Sequence, residues 1–165
     1  KKTYSIDTPF DDILRDINDQ MTRLYSAVGQ KSGARDLLFA LKKAGFTLIL
    51  ATASGEDIAK PVLSRLNMWD IFDYRYCNIS KSKPDIFYKI ADDIGVKPCQ
   101  CCIAEDTLSS AAGAKSAGLK VIGVYDGITK FYQGDIKDIS DLYYMTLDNT
   151  DSIVEDIKNI CLQPV

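Results

Sequence analysis

The chain of 165 residues contains no histidine. A Ser-His-Asp or Cys-His triad is therefore excluded within it, as is any general acid–base step that relies on imidazole. Long hydrophobic runs are missing too. The longest, around residues 48–53, has the length of a strand, whereas a bilayer needs about 20 apolar residues. No charged-then-apolar leader of the secretory kind opens the sequence. Positive charge is scattered and slightly outnumbered, 20 Lys and Arg against 23 Asp and Glu: the formal net charge is -3 and the isoelectric point about 4.9. A nucleic-acid surface needs clustered Lys and Arg to neutralise phosphates, so small metabolites are the expected partners, with no nucleic acid and no membrane. The five cysteines form no regular pairs. Cys99-Gln-Cys101-Cys102 lacks a second ligand pair for zinc, and Cys101 and Cys102 read as small apolar residues on a buried strand. Reduced thiols and a cytoplasmic location follow as expectations.

What remains is enough for one domain, or one domain with a small appendage: 46% hydrophobic and 26% charged residues. With imidazole absent, catalysis has to rest on carboxylates, lysine, hydroxyls and a metal ion. The first residue is Lys1, which reads as a processed, trimmed or partial chain. Residues 9 to about 28 have apolar positions at Ile13, Ile17, Met21, Leu24 and Tyr25, spaced for an amphipathic helix. Thr8 is its expected cap, with Pro9 in the first turn and Asp11 and Asp12 near the positive dipole end. A second helix is expected over 33–43, stopped by Gly45, and then a strand over 46–51. The alternation continues with helix 58–66, strand 74–77, helix 84–94, strand 101–104, helix 109–117, strand 121–124, strand 142–146 and helix 152–160. Strands alternating with helices predict an α/β fold: a Rossmann-like parallel sheet flanked by helices on both faces, with right-handed crossovers.

In an open parallel sheet, ligands bind beyond the carboxyl ends of the strands. Thr52 ends one apolar run, Lys81 lies in the loop after another, and Glu105-Asp106 follows a third. Each has an ordinary reading: a helix cap, a solvated lysine, acids at a helix N-terminus. Together they make a hydroxyl, an ammonium and two carboxylates on one rim, suited to Mg²⁺ and a phosphate group.

The segments Gly45-Phe-Thr-Leu-Ile-Leu-Ala-Thr-Ala-Ser54, Ser80-Lys-Ser-Lys-Pro-Asp-Ile-Phe87 and Cys102-Ile-Ala-Glu-Asp-Thr-Leu-Ser-Ser-Ala-Ala-Gly-Ala-Lys-Ser-Ala-Gly118 resemble the second, third and fourth motifs of the haloacid dehalogenase superfamily. The resemblance is to its β-phosphoglucomutase and phosphoglycolate phosphatase branch, and runs from about Gly33 to the C-terminus. Asn67-Met-Trp-Asp-Ile-Phe-Asp73 also resembles that family's segment before the third strand. The resemblance implies that the Thr52 hydroxyl binds phosphate, with a backbone N–H from Ala53 and the Ser54 hydroxyl beside it. Lys81 would neutralise charge between nucleophile and phosphate, and Glu105 and Asp106 would bind Mg²⁺ directly or through water. Lys81 is chosen over Lys83 because Lys81-Ser-Lys-Pro84-Asp85 fits the family's Lys-Pro-x-Pro-Asp, with Ser82 in place of the first Pro.

The family's first motif, an Asp-x-Asp pair after a strand, has no counterpart. The one early candidate, Ile6-Asp7-Thr-Pro9, has no acid two residues on. By the same resemblance residues 1–28 are a remnant of the helical cap, and 29–165 are the core without its first strand and nucleophile. The implied function is that of a Mg²⁺-dependent phosphoric monoester hydrolase acting through an aspartyl-phosphate on a small phosphorylated metabolite, chosen largely by the cap. A phosphosugar mutase, or a catalytically inactive phosphate-binding relative, is the alternative. The acidic pair speaks against dehalogenation, and its place after the Thr and Lys speaks against a two-component receiver domain.

Overall fold

A computed structural model describes residues 7–161. Residues 1–6 of the expected cap remnant, including Ile6 beside Asp7, and the last four residues of the expected core lie outside the described residues. In chain order the elements are α1 (Phe10–Ser26), α2 (Ala34–Lys43), β1 (Ile49–Ala51), α3 (Glu56–Arg65), β2 (Tyr74–Tyr76), α4 (Asp85–Asp93), β3 (Cys102–Glu105), α5 (Leu108–Ser116), β4 (Lys120–Val124), α6 (Gln133–Ile139), β5 (Leu142–Tyr144) and α7 (Thr150–Cys161). Every helix and strand expected from the sequence is present. The strand read as 46–51 is three residues long, because β2 pairs only with Ile49–Ala51. Helix α6 was not anticipated. It is a short segment of seven residues held by the fully buried Ile136. Thr8 does not cap α1: the cap position is Pro9, without a side-chain cap bond, and Asp11 and Asp12 occupy the first turn.

All strand pairs are parallel, as the alternation requires, but they form two sheets. One is β1–β2 and the other runs β3–β4–β5. Strand β4 is the best-buried strand, and its side chains divide between two clusters. Ile122 and Val124 pack with Leu37 of α2 and with Ile153, Val154 and Ile157 of α7. Val121 packs on the opposite face with Phe87 of α4 and with Ala111 and Ala114 of α5. The period-two alternation of a strand thus places helices on both sides of this sheet. No described helix is long and apolar enough to cross a membrane. Cys101 and Cys102 are half-buried free thiols. Burial pushes Cys101 up, and a hydrogen bond with Cys161 together with burial pushes Cys102 up, so both stay protonated.

The same clasp is used twice at the strands' amino ends. Asp73, just ahead of β2, donates its N–H to Leu48 O (2.8 Å) and accepts the Leu48 N–H on its carboxylate (2.8 Å). Asp141, just ahead of β5, does the same with Val121 (2.8 Å each way). Lys42 pairs with Asp73, and Lys115 with Asp141. The Lys42 hydrogen bond, then the Leu48 N–H, hold Asp73 below the usual carboxylate range. For Asp141, burial opposes ionisation, but Lys115 and the Val121 N–H outweigh it and the net shift is downward. A depressed folded-state pKa means that the unfolded chain binds the proton more readily. Stability from these groups is present above the ordinary aspartate value, about 3.9, and is lost as pH falls below it. Asp141→Asn is therefore expected to cost about 1 kcal/mol at pH 7 and less at pH 3. Thermal unfolding at both pH values tests this; an equal cost at each would contradict it.

Candidate active site

The carboxyl ends of the strands carry the residues picked out from the sequence. Thr52 follows β1 directly. Its N–H donates to Tyr76 O (2.9 Å), and its carbonyl accepts from Ile79 N (3.1 Å), two residues ahead of Lys81. The Thr52 hydroxyl oxygen accepts the Ser54 N–H (3.1 Å). It therefore caps its own turn rather than α3, whose cap position is Gly55 without a side-chain cap bond. The hydroxyl hydrogen remains available to a ligand, as does the Ala53 N–H, which has no partner among the described backbone bonds.

Lys81 is brought against Glu105. The two form an ion pair in which the Glu105 side chain is 3% exposed and that of Lys81 19%. Lys83 is exposed and forms no ion pair among the described residues. The loop is seated by Gly113 of α5: a Cβ there would meet Lys81 O at 2.4 Å and Ser82 C at 3.0 Å. Only glycine lets the helix and the lysine loop approach this closely.

Glu105 is the last residue of β3, paired with Gly123. It gives one oxygen to Lys81 and accepts the Thr107 hydroxyl (3.2 Å) on the other. Asp106, half-buried, has no ion-pair partner among the described residues. A relay fixes its backbone: Tyr143 OH donates to Gln133 Oε1 (2.6 Å), Gln133 Nε2 to Thr129 Oγ1 (2.7 Å), and Thr129 Oγ1 to Asp106 O (2.8 Å). Gln133 and Thr129 were missed by sequence reasoning, since no periodic signal marks them.

Asp126, beyond the end of β4, was also missed. It could have been found, because it ends the apolar run 121–124 on this same rim. Lys31, in the link between α1 and α2, pairs with it and donates to Tyr125 O (3.1 Å). Lys31 first, then the Ile128 N–H, hold the Asp126 carboxyl below the usual range, with a further side-chain contact from Asp106.

The donor set is oxygen only, as Mg²⁺ requires. No group of three or more His, Cys, Asp or Glu side chains converges on a metal position among the described residues. Mg²⁺ nevertheless keeps several waters and commonly takes one or two protein carboxylates together with substrate phosphate. Asp106 fits the direct role. Glu105, engaged on both oxygens, fits the water-mediated one.

A partly buried lysine–glutamate pair, a strand-end threonine and a second carboxylate thus share one rim of the parallel α/β fold. The family model of haloacid dehalogenase-like hydrolases matches residues 2–118, and the chain belongs to that family. It is 33% identical over 104 residues to a probable pseudouridine-5'-phosphatase of Drosophila melanogaster, covering 57% of this chain and 45% of that protein. Over 111 residues it is 28% identical to a phosphorylated carbohydrates phosphatase of Thermotoga maritima, covering 64% and 51%. The chain spans about half the length of these relatives. In fold it is similar to β-phosphoglucomutase from Clostridium difficile, with a TM-score of 0.74, 21% identity and coverage of 93% of this chain and 69% of that one. It is similarly close to CbbY from Rhodobacter sphaeroides solved with phosphate, with a TM-score of 0.73, 23% identity and coverage of 90% and 68%.

Proposed function

We propose that these residues form the greater part of a Mg²⁺-dependent phosphatase acting on a small phosphorylated metabolite, with the attacking aspartate carried by an element outside the 165 residues. The observation that carries the reading is the Lys81–Glu105 pair, buried beside Asp106 and tied through Ile79 to Thr52. The named sequence relatives are phosphatases, one of them for phosphorylated carbohydrates, which favours hydrolysis over mutase chemistry. Thr52, through its hydroxyl, and Ala53, through its N–H, hold phosphate oxygens, with the Ser54 hydroxyl alongside. Lys81 offsets charge between the phosphate and the incoming carboxylate. Asp106, with Glu105 behind it, holds Mg²⁺, which when bound would supply charge neutralisation at the phosphoryl oxygens. Positioning and electrostatics supply most of the catalysis in such transfers. The aspartyl-phosphate formed on the incoming carboxylate would then be hydrolysed by water. The free thiols fit a cytoplasmic setting.

A second reading, an inactive phosphate-binding relative, is favoured by one fact: no Asp-x-Asp pair follows a described strand. Two measurements together test the phosphatase reading. Inorganic phosphate is expected to bind this chain in the presence of Mg²⁺, as read by calorimetry, and Thr52→Val or Asp106→Ala to weaken it by about tenfold or more. Absence of binding, or binding indifferent to both changes, rejects the site. Hydrolysis of p-nitrophenyl phosphate by this chain alone is expected to be undetectable. Mg²⁺-dependent turnover that requires Asp106 would instead make Asp7, exposed ahead of α1, the carboxylate to test.

A further inference from the structure

Cys101 and Cys102 are neighbours where β3 begins, and the alternation of a strand sends their side chains to opposite faces of the sheet. Cys101 packs with Ile103 against the cluster of Phe87 and Ala114, and its thiol donates to Lys97 O (3.7 Å). Cys102 goes to the other face, against the cluster of Ile122 and Ile153. Cys161, in the last turn of α7, packs against that same cluster. Two half-buried cysteines from distant parts of the chain thus meet on one face of one sheet, and the Cys102 thiol donates to the Cys161 sulfur. We propose that Cys102 and Cys161 form a thiol–disulfide exchange site, which reacts with low-molecular-weight disulfides and closes a reversible bridge within the chain.

The two thiols are not equivalent. Cys102 is the first residue of β3, and its register partner in β4 is Lys120. The hydrogen bond from Cys102, and after it the Lys120 ammonium, outweigh burial and the Asp141 carboxylate and lower Cys161. Lys120 is itself 3.8 Å from Asp141, so its charge is shared between the two. Cys161 is therefore the attacking thiolate, and Cys102, kept protonated, is the resolving thiol. Packing alone asks only for small apolar side chains at both positions and predicts two inert thiols.

The exchange runs in two steps. The Cys161 thiolate attacks one sulfur of the small disulfide, whose S–S bond breaks and releases one thiolate, which takes up a proton. Cys102 then loses its proton and attacks the Cys161 sulfur, which expels the second small thiol. Two electrons pass from the two protein thiols to the small disulfide, and a dithiol such as dithiothreitol reverses the sequence. The bridge closes a loop of about 60 residues and ties the end of α7 to β3. It lies at the amino end of β3, opposite the rim that carries Glu105 and Asp106, so the inference does not rest on the phosphatase reading.

The test exposes the folded chain to oxidised glutathione at about 5 mM, then maps its thiols by alkylation, digestion and mass spectrometry. Cys102 and Cys161 are expected to be recovered as one disulfide-linked peptide pair, released by dithiothreitol, while Cys77 and Cys101 remain open to alkylation after unfolding. Cys102→Ala is expected to stop at a stable glutathione adduct on Cys161. Cys161→Ala is expected to slow any reaction at Cys102 by about tenfold or more. The oxidised wild type is expected to unfold at a higher urea concentration than the reduced chain. Free Cys102 and Cys161 after oxidation, a bridge from either to another cysteine or to a second chain, or a lasting adduct on the wild type overturns the inference. So does a lower urea midpoint after oxidation, since native packing would then have to break for the sulfurs to join. The mapping of the wild type stands whether or not either variant folds.

Discussion

Replacement of Lys81 by methionine is expected to destabilise the fold by about 3 kcal/mol, among the largest losses at any single side chain here. Glu105 is 3% exposed and receives Lys81 on one oxygen and only the Thr107 hydroxyl on the other. Removing the ammonium leaves a carboxylate out of water with one neutral donor. The intact pair need not be worth this much, because its own desolvation offsets most of the attraction. Lys81→Met combined with Glu105→Gln is therefore expected to recover more than half of the loss. Urea unfolding of the wild type, both single variants and the double variant measures the coupling. A loss below about 1 kcal/mol for Lys81→Met, or no recovery in the double variant, would show that the pair is solvated and does not organise the rim. The phosphatase reading adds a separate expectation. The stable double variant should bind phosphate more weakly than the wild type, since the charge on Lys81 is needed there as well.

Gly33→Ala is expected to cost as much or more, about 3–5 kcal/mol, for two reasons that add. Gly33 has φ 74°, a left-handed conformation that costs a non-glycine residue about 1–2 kcal/mol. A Cβ there would also lie 2.2 Å from Leu147 O and 2.7 Å from Asp148 N. Both are backbone atoms and cannot swing aside, so α2 would have to lift from the segment that leads into α7. The neighbouring Lys31–Asp126 and Ser32–Asp148 contacts would be dragged with it. Thermal unfolding of Gly33→Ala beside Gly45→Ala separates the two causes. Gly45 also has positive φ, at 91°, but meets nothing within 4 Å. If the two variants lose equal stability, close packing at Gly33 contributes nothing.

Much of this was legible in the sequence because it rests on local signals. The alternation of apolar strand runs with amphipathic helices reads directly as a parallel α/β fold, and the residues that end those runs mark the rim. The choice of Lys81 over Lys83 rested on the resemblance to the family's Lys-Pro-x-Pro-Asp pattern, and in the structure Lys81 pairs with Glu105. Non-local features were hidden. The run at residues 46–51 shows where a strand can form, but its extent is fixed by Asp73–Tyr76, more than twenty residues away. The relay from Tyr143 through Gln133 and Thr129 to Asp106 joins three segments by side chains that look like ordinary surface polar residues. Helix α6 is too short for a hydrophobic period to show. Asp126 was overlooked although its position obeyed the rule that selected Thr52 and Glu105.

The doubled aspartate clasp bears on how the chain finds its fold. Each clasp closes a modest loop: 25 residues separate Leu48 from Asp73, and 20 separate Val121 from Asp141. Loop-closure entropy grows only with the logarithm of length, so the two closures cost nearly the same and neither has to await the other. A single aspartate fixes register by backbone and carboxylate together, before the helices between the strands have packed. The β1–β2 and β4–β5 pairs could thus nucleate independently, and a folding-rate analysis of Lys81 and Glu105 variants is expected to place the meeting of the two halves late.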